Sequence, residues 1–337
     1  MEEVLNVEDL HVSFQVAGGE VEAVRGVSFT LNKGETLAIV GESGSGKSVT
    51  ALSLLGLIPS PPGRIKQGKI RFGQRDLTQL PEREWYQIRG SEIGMIFQDP
   101  MTSLNPTMTI GRQIMEGIRW HRRTGYREAW QKAAELLNLV GIPHPEKRMR
   151  QYPHEFSGGM RQRAVIAMAL ACSPRILIAD EPTTALDVTI QAQILDLMME
   201  IQQRTGTSIL LITHDLGVVA ETADRVAVMY GGQILEIGWV REIFARPHHP
   251  YTWGLLESIP RLDKAKDQEL VPIPGSPPDL FLPPPGCLFA DRCPYAMNVC
   301  YEEMPEFTQV SGSHQVRCWL EDPAAPPISP KNIPEKS

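Results

Sequence analysis

G-E-S-G-S-G-K-S fills residues 41–48 and directly follows the apolar run of residues 36–40. This order predicts a buried strand, then a phosphate-binding loop, then a helix. Because glycine lacks a Cβ and adopts positive φ, such a loop can turn successive N–H groups toward a polyphosphate, and the helix directs the positive end of its dipole at the same anion. The residues expected to line the phosphates are Gly41, Ser43, Gly44, Ser45, Gly46, Lys47, Ser48 and Val49.

Two side chains of this loop are expected to contribute charge and metal binding. Lys47 would reach the β- and γ-phosphates, and the Ser48 hydroxyl would ligate Mg²⁺. We therefore predict that the chain binds a nucleoside triphosphate together with Mg²⁺.

A second apolar run ends in two acids. Residues 176–179 read I-L-I-A and are followed by Asp180 and Glu181. Such a strand places Asp180 at its carboxyl edge, where it can hold Mg²⁺ directly or through water. Glu181, one residue further on, can polarise the water that attacks a γ-phosphate. Two acids at a solvated strand end are common, so it is the presence of the phosphate loop that favours hydrolysis.

A third candidate site lies between these two elements. Ser157 precedes Gly158 and Gly159, and a helical run follows at residues 164–171. Ser157 is expected to cap this helix, which leaves the two glycine amides as a second anion site at a helix N-terminus. On the residues alone, Ser-Gly-Gly is simply a helix cap.

Composition limits the function classes. The chain has 337 residues and a net charge of −7, which gives no general attraction to nucleic acid or anionic lipid. It lacks the run of ~20 apolar residues that a membrane span needs, and its acidic N-terminus is unlike a cationic signal segment. We therefore expect a chain that stays in the cytosol. The basic cluster at residues 119–123 is expected to be a solvated helix end.

Hydrophobic patterning predicts an α/β fold. Residues 4–14 and 21–31 alternate like antiparallel strands joined by a turn at 17–19. Residues 83–90 and 109–140 have helical spacing, and the latter suggests a helical insert. Further buried strands are expected at 176–179, 208–212 and 225–229, each after a helical stretch, as in a parallel sheet with right-handed crossovers.

The order phosphate loop, Gln98, Ser-Gly-Gly, Asp-Glu, His214 resembles the nucleotide-binding domain of the ATP-binding-cassette superfamily over about residues 4–255. The resemblance implies a P-loop NTPase fold of the ABC type, a mixed sheet with an N-terminal antiparallel β subdomain and a helical insert at about residues 99–165. It also implies that the nucleotide is ATP and that the chain is an ATP hydrolase.

Residue roles follow from the same resemblance. Gln98 is similar to the Q-loop glutamine that senses Mg²⁺, and His214 to the switch histidine that contacts the γ-phosphate. Phe14 is similar to the aromatic residue that stacks on adenine. Residues 156–160, F-S-G-G-M, resemble the signature L-S-G-G-Q, and residues 185–187 resemble the D-loop. The implied catalytic set is Lys47, Gln98, Glu181 and His214, and the implied Mg²⁺ set is Ser48, Gln98 and Asp180.

Longer stretches narrow the family. Residues 96–106, 152–163 and 179–188 resemble the ATP-binding subunits of bacterial dipeptide, oligopeptide and nickel importers. This implies a peripheral subunit on the cytoplasmic face of the inner membrane. Its partners would be a second, paralogous ATPase in a heterodimer, two integral membrane permeases and, indirectly, an external solute-binding protein. A nickel or other solute, a soluble non-transport cassette ATPase and a cytosolic iron–sulfur sensor gated by nucleotide remain alternatives.

Four of the five cysteines fall near the C-terminus in the pattern C-x5-C-x6-C-x17-C: Cys287, Cys293, Cys300 and Cys318. Disulfides are disfavoured in a reducing cytosol, and zinc sites usually contain closer Cys pairs. The wide gaps and the Cys-Pro at 293–294 favour a [4Fe–4S] cluster, with zinc and free thiols left open. Cys172 is expected in the core.

Composition also divides the C-terminal part of the chain. We expect a nucleotide-binding domain over residues 1–255, a Pro-rich linker over 256–286, the small irregular Cys-containing extension over 287–320 and a disordered tail over 321–337.

Overall fold

The computed structural model of this protein describes residues 2–184, 187–258 and 272–328. The strands within these ranges are β1 (Glu3–Val16), β2 (Gly19–Asn32), β3 (Thr36–Val40), β4 (Gly63–Phe72), β5 (Arg75–Asp76), β6 (Ile93–Ile96), β7 (Ile176–Asp180), β8 (Ser208–Thr213), β9 (Arg225–Tyr230), β10 (Gln233–Trp239), β11 (Thr308–Ser311) and β12 (His314–Val316).

The α-helices in the same ranges are α1 (Lys47–Leu54), α2 (Glu82–Ile88), α3 (Pro100–Ser103), α4 (Ile110–Arg122), α5 (Tyr126–Leu139), α6 (Pro145–Arg148), α7 (Gly158–Ala169), α8 (Val188–Thr205), α9 (Leu216–Thr222), α10 (Val240–Ala245), α11 (Pro250–Glu257) and α12 (Asn298–Glu302). The described residues divide into two compact units, one with residues 2–5, 30–36, 71–184 and 187–212, the other with residues 6–29, 37–70, 213–258 and 272–328.

The first unit contains a parallel sheet. Strand β7 pairs with β6 on one side and with β8 on the other. All five residues of β7 are buried, which is the burial expected of a central parallel strand covered on both faces. Such a strand presents its carboxyl end as the edge where polar residues gather. Asp180 and Glu181 are placed at this end.

Helices α4, α5 and α7 of the first unit pack against one another. Apolar residues of α5, including Ala133, Leu136 and Leu137, are buried. The helix predicted over residues 109–140 is interrupted, because Arg123 adopts the left-handed conformation and Gly125 caps the next helix. The predicted basic helix end lies in the last turn of α4, where Trp120 is 70 % exposed.

The second unit contains the phosphate loop and its supporting sheet. Strand β3 pairs in parallel with β9, which pairs antiparallel with β10. The N-terminal strands β2, β1 and β4 lie side by side in a separate sheet. The apolar run that was predicted to precede the phosphate loop is β3, and all five of its residues are buried.

The C-terminal extension is more regular than the sequence indicates. Strands β11 and β12 form a hairpin, and β12 adds to β10 through the pairs Glu236↔Val316 and Ile237↔Gln315. Residues 272–286 contain no helix or strand, and the rest of the predicted linker after residue 258 lies outside the described residues. Residues 321–328, assigned to the tail, are described, and Glu321 Oε1 lies 2.8 Å from His248 Nδ1.

Cys172 is buried, as predicted. In the described ranges, every helix is too short or too polar to traverse a lipid bilayer.

Candidate functional site

The phosphate loop connects β3 to α1 through a backbone that requires glycine at two positions. A Cβ on Gly41 would lie 2.0 Å from the carbonyl oxygen of Met229, and a Cβ on Gly46 would lie 2.4 Å from that of Ala23. Gly46 also caps α1 in the left-handed conformation, with a φ of 101°. The loop is therefore a tightly packed structure whose path depends on residues with no side chain.

Hydrogen bonds hold the Lys47 side chain inside this loop. Its side chain is buried, and its Nζ donates to the carbonyl oxygens of Gly41 and Glu42, each at 2.8 Å. Ser45 is also buried, with its Oγ 3.4 Å from the same Nζ. The ammonium group is thus held by the loop that would receive a polyphosphate.

The other predicted loop residues differ in exposure. Ser43 and Gly44 lie exposed at the tip, whereas Ser48 and Val49 are half-buried in the first turn of α1. A recess beside the tip is lined by the loop and by the C-terminal chain: residues 42–45, 230–231, 277, 278 and 280.

The acidic end of β7 joins two of the predicted catalytic residues. Gln98 Nε2 donates to Glu181 Oε2 at 2.9 Å, and Thr184 Oγ1 donates to the same oxygen at 2.9 Å. Glu181 adopts a φ of 47°, a left-handed conformation that is uncommon for glutamate and typical of strained functional positions. Asp180, the last residue of β7, is buried. Two neutral hydrogen-bond donors thus fix the orientation of the Glu181 carboxylate.

Ser157 caps helix α7 as predicted. Its Oγ accepts a hydrogen bond from the N–H of Met160 at 3.4 Å. Gly158 is exposed, whereas a Cβ on Gly159 would meet Ile190 Cγ2 at 3.0 Å. The start of this helix is therefore open on one side and packed on the other.

The sequence did not indicate how α7 is linked to the turn after Glu181. Gln162 is buried, and its Nε2 donates to the carbonyl oxygen of Pro182. This bond fixes the Ser-Gly-Gly helix to the turn that follows Glu181, within one unit. The sequence offers only a glutamine three residues after a Gly-Gly pair, and by itself that pattern predicts nothing.

Two predicted nucleotide contacts belong to the second unit. His214 follows β8 directly and is exposed, and Asp215 after it caps α9. Phe14 is half-buried, and its ring packs where a Cβ on Gly63 would lie, 2.7 Å away. In the predicted D-loop, residues 185 and 186 lie outside the described residues, and Asp187 caps α8 by accepting from the N–H of Ile190.

The thiols of the four late cysteines are buried or half-buried. Burial raises the pKa of Cys287 to about 11, and it also raises the pKa values of Cys293 and Cys318. The backbone N–H of Met297 donates to Cys300 Sγ at 3.4 Å. Amide donors and neighbouring thiols are the chemistry that an iron–sulfur cluster uses.

The thiols are nevertheless not gathered around a single ion. Over residues 2–184, 187–258 and 272–328, no three His, Cys, Asp or Glu side chains are grouped so that they could hold a metal ion. The structure therefore does not support the predicted [4Fe–4S] cluster, although the donor set suits one chemically.

A buried carboxylate attaches the C-terminal extension to the rest of the second unit, and the sequence did not indicate it. Glu236 on β10 is fully buried and accepts from the backbone N–H groups of His248 and His249, at 2.7 and 3.1 Å. The His314 ring of β12 approaches it through Nε2 at 2.7 Å. The C-terminal hairpin is thus fixed to β10 by hydrogen bonds as well as strand pairing.

Burial of His249 predicts acid sensitivity. Desolvation lowers the pKa of His249 to about 4, because the charged ring is disfavoured there. The unfolded chain with a pKa of about 6.5 binds the proton more readily, so this contribution to stability is complete above pH ~6.5 and is lost as the pH falls toward 4. We expect the free energy of unfolding, measured by urea titration, to fall by about 2 kcal/mol between pH 7 and pH 5. In the His249→Gln variant most of this pH-dependent fall in the free energy of unfolding should disappear. An unchanged fall would show that His249 is not its source.

The family model described as ABC transporter matches residues 24–184, and that described as Oligopeptide/dipeptide transporter, C-terminal region, matches residues 235–300. The oligopeptide transport ATP-binding protein OppD of Bacillus subtilis is 61 % identical over 97 % of this chain and 91 % of its own. The dipeptide transport ATP-binding protein DppD of the same species is 60 % identical over 96 % and 97 %.

Solved structures agree with this similarity. A dimeric ATP-binding cassette in a post-hydrolysis state, bound to ADP and Pi, has a TM-score of 0.64 at 25 % identity and covers 70 % of this chain and 99 % of its own. The predicted fold class, a mixed α/β cassette with an antiparallel N-terminal sheet, is confirmed.

Proposed function

We infer the function of this chain from one premise: it belongs to the ABC transporter family, among the oligopeptide and dipeptide transport ATP-binding proteins. The chain is accordingly an ATPase subunit. We propose that it couples ATP binding and hydrolysis to the import of di- or oligopeptides. The observation that carries this proposal is the 61 % identity to the oligopeptide transport protein, which extends through the C-terminal extension as well as the cassette.

The proposed site residues act on MgATP in distinct roles. Lys47 and the amides of the phosphate loop bind the phosphates, and Phe14 stacks on the base. Ser48, Asp180 and Gln98 hold Mg²⁺, which would neutralise charge on the β- and γ-phosphates when bound. Glu181 orients the attacking water, and His214 contacts the γ-phosphate. This assignment is supported by the hydrogen bonds that hold the Lys47 ammonium within the phosphate loop and by those that orient the Glu181 carboxylate.

An ATP-binding subunit of a transporter acts with membrane permease subunits. We further propose that this chain lies on the cytoplasmic face of the inner membrane and pairs with a second, paralogous ATPase. In that heterodimer Ser157, Gly158 and Gly159 close over the nucleotide of the neighbouring subunit, so ATP favours the closed pair and hydrolysis releases it. The open side of the α7 N-terminus supports this role.

Uptake by whole cells tests the transported solute. A strain that lacks only this chain should lose import of labelled di- and oligopeptides and regain it when the chain is restored. If the strain keeps peptide uptake but loses nickel uptake, the transported solute is nickel and not peptide. If peptide uptake and nickel uptake both persist, and the chain does not co-purify with integral membrane subunits, the transport proposal fails in favour of a soluble cassette ATPase.

We propose that Cys287, Cys293, Cys300 and Cys318 hold a [4Fe–4S] cluster, which would supply an electron-transfer centre or a structural cross-link when bound. The support is their chemistry: four free thiols, buried or half-buried, within one segment of the chain. The chain purified without oxygen should be brown and contain about four iron atoms, and Cys287→Ser should lose both. Stoichiometric zinc, or a colourless iron-free protein, would exclude the cluster.

A further inference from the structure

Glu42, the second residue of the phosphate loop, is paired with an arginine from the cysteine segment. Arg292 Nη1 donates to Glu42 Oε2 at 2.6 Å, and Nη2 donates to Glu42 Oε1 at 3.0 Å. The arginine side chain is 5 % exposed and the glutamate side chain 27 %. A two-bond guanidinium–carboxylate pair fixes direction as well as distance, and a lysine could not reproduce it.

Arg292 is itself held in place before it meets Glu42. Its Nε donates to the carbonyl oxygen of Pro274 at 2.8 Å, and its Nη2 to that of Ile273 at 3.1 Å. Its guanidinium carbon lies 5.7 Å from the ring centre of Tyr230 and 5.9 Å from that of Phe289. The guanidinium is thus fixed by partners that are independent of the carboxylate.

The backbone of Glu42 is fixed on two further sides. Its N–H donates to the hydroxyl oxygen of Tyr251 at 2.9 Å, and its carbonyl oxygen accepts from Lys47 Nζ at 2.8 Å. Tyr251 packs against Phe289, with ring centres 5.4 Å apart. The same residue whose carboxylate meets Arg292 therefore also anchors the lysine that would bind phosphate.

The geometry of Arg292 depends on the cysteine segment. The N–H of Cys287 donates to the carbonyl oxygen of Cys300 at 2.7 Å, which closes the segment on itself. Within it, the N–H groups of Arg292 and Cys293 donate to the carbonyl oxygens of Phe289 and Ala290, at 3.0 and 3.1 Å. Arg292 thus projects from a turn over residues 289–293, which lies between Cys287 and Cys300 and ends at Cys293.

Charge gives this contact a consequence for nucleotide binding. The Glu42 carboxylate is part of a loop that binds a polyanion, and an unpaired carboxylate there would repel the phosphates. Arg292 neutralises it at close range while fixing the loop.

We propose that Arg292 is a positioning residue for the nucleotide site: by pairing Glu42 it neutralises and orients the phosphate loop, and so the cysteine segment sets the affinity for nucleotide. This inference rests on the proposed function, because the ligand concerned is MgATP. It assigns the C-terminal extension a role inside the cassette.

Calorimetric titration of the full-length chain with MgATP tests the proposal. Arg292→Gln should weaken binding about tenfold, since a charge-assisted pair is lost and a carboxylate is left unpaired beside the phosphates. The effect of Arg292→Gln should shrink to about twofold or less when Glu42→Gln is already present, because no carboxylate then remains to be neutralised. Added salt should narrow the difference between unaltered and Arg292→Gln chains.

Arg204→Gln provides the matched control. Arg204 also pairs with a glutamate, Glu200, at 3.1 Å, but is 59 % exposed on α8, so its loss should leave the MgATP affinity unchanged. If Arg292→Gln does not fold, Arg292→Lys retains the charge without the two-bond geometry and should bind MgATP with intermediate affinity.

Equal loss of affinity from Arg292→Gln with and without Glu42→Gln would show that the arginine only supports the fold. Unchanged affinity in Arg292→Gln would overturn the proposal while the unaltered chain still binds MgATP. Failure of the unaltered chain to bind millimolar MgATP would instead overturn the proposed function, and this inference with it.

Discussion

ATP hydrolysis is expected to fall by about 10²–10⁴-fold when Glu181 is replaced by glutamine, while MgATP binding is retained. Glutamine has nearly the same shape but cannot polarise the attacking water as a carboxylate does. Gln98 and Thr184 both donate to Glu181 Oε2, and the variant keeps one oxygen that can accept from them. The loss should therefore appear in kcat and not in the KM for ATP.

The same variant should accumulate as an ATP-bound pair with its partner subunit. On the proposed function, hydrolysis opens the closed dimer, so blocking hydrolysis would leave the nucleotide bound between the subunits. Phosphate release and size-exclusion chromatography with MgATP measure the two effects. Glu200→Gln, an exposed change on α8 that removes only the pair with Arg204, is the control and should hydrolyse normally. Turnover close to normal in Glu181→Gln would show that another group activates the water.

The parts of the site that the sequence predicts are those whose chemistry requires a short local pattern. The loop after β3 needs glycine at Gly41 and Gly46 because neighbouring carbonyl oxygens occupy the space of a Cβ. The Ser157 cap and the acids after β7 follow from equally local rules. Such patterns indicate their structure whatever surrounds them.

The remaining contacts join residues far apart in the chain. Arg292 and Glu42 are separated by 250 positions, and His314 and Glu236 by 78. Neither pair has a local signal, because an arginine or a histidine near a turn is most often solvated. Only the fold brings these partners together.

The interruption of the predicted long helix is an intermediate case. Residues 109–140 keep their apolar spacing on both sides of the break, so periodicity alone does not reveal it. Gly125 was the available signal, and a glycine within a helical pattern is often tolerated. The β11–β12 hairpin is similar: Gly312 adopts a φ of 38° in its turn, but its strands are only three and four residues long.

Lys47→Ala should abolish measurable ATP hydrolysis and weaken MgATP binding by about 10²-fold, because it removes the only cation that the loop itself supplies to the phosphates. The Nζ hydrogen bonds to the carbonyl oxygens of Gly41 and Glu42 are lost with it, so the backbone of the loop loses its internal support as well. The lost charge and the lost hydrogen bonds both weaken MgATP binding. Lys47→Ala should therefore reduce binding and turnover together, whereas Glu181→Gln should reduce turnover alone.

Calorimetry with MgATP and steady-state phosphate release measure these effects on the full-length chain. Lys132→Ala is the matched control, because that lysine is 49 % exposed and pairs only loosely with Glu135, at 3.8 Å. Thermal melting without nucleotide separates local from global damage. A small shift in melting temperature together with lost MgATP binding would show that the damage is confined to the phosphate loop. If Lys47→Ala bound MgATP within a few-fold of the unaltered chain, the phosphates would have to be held elsewhere. The buried ammonium of Lys47 would then serve only to brace its own loop.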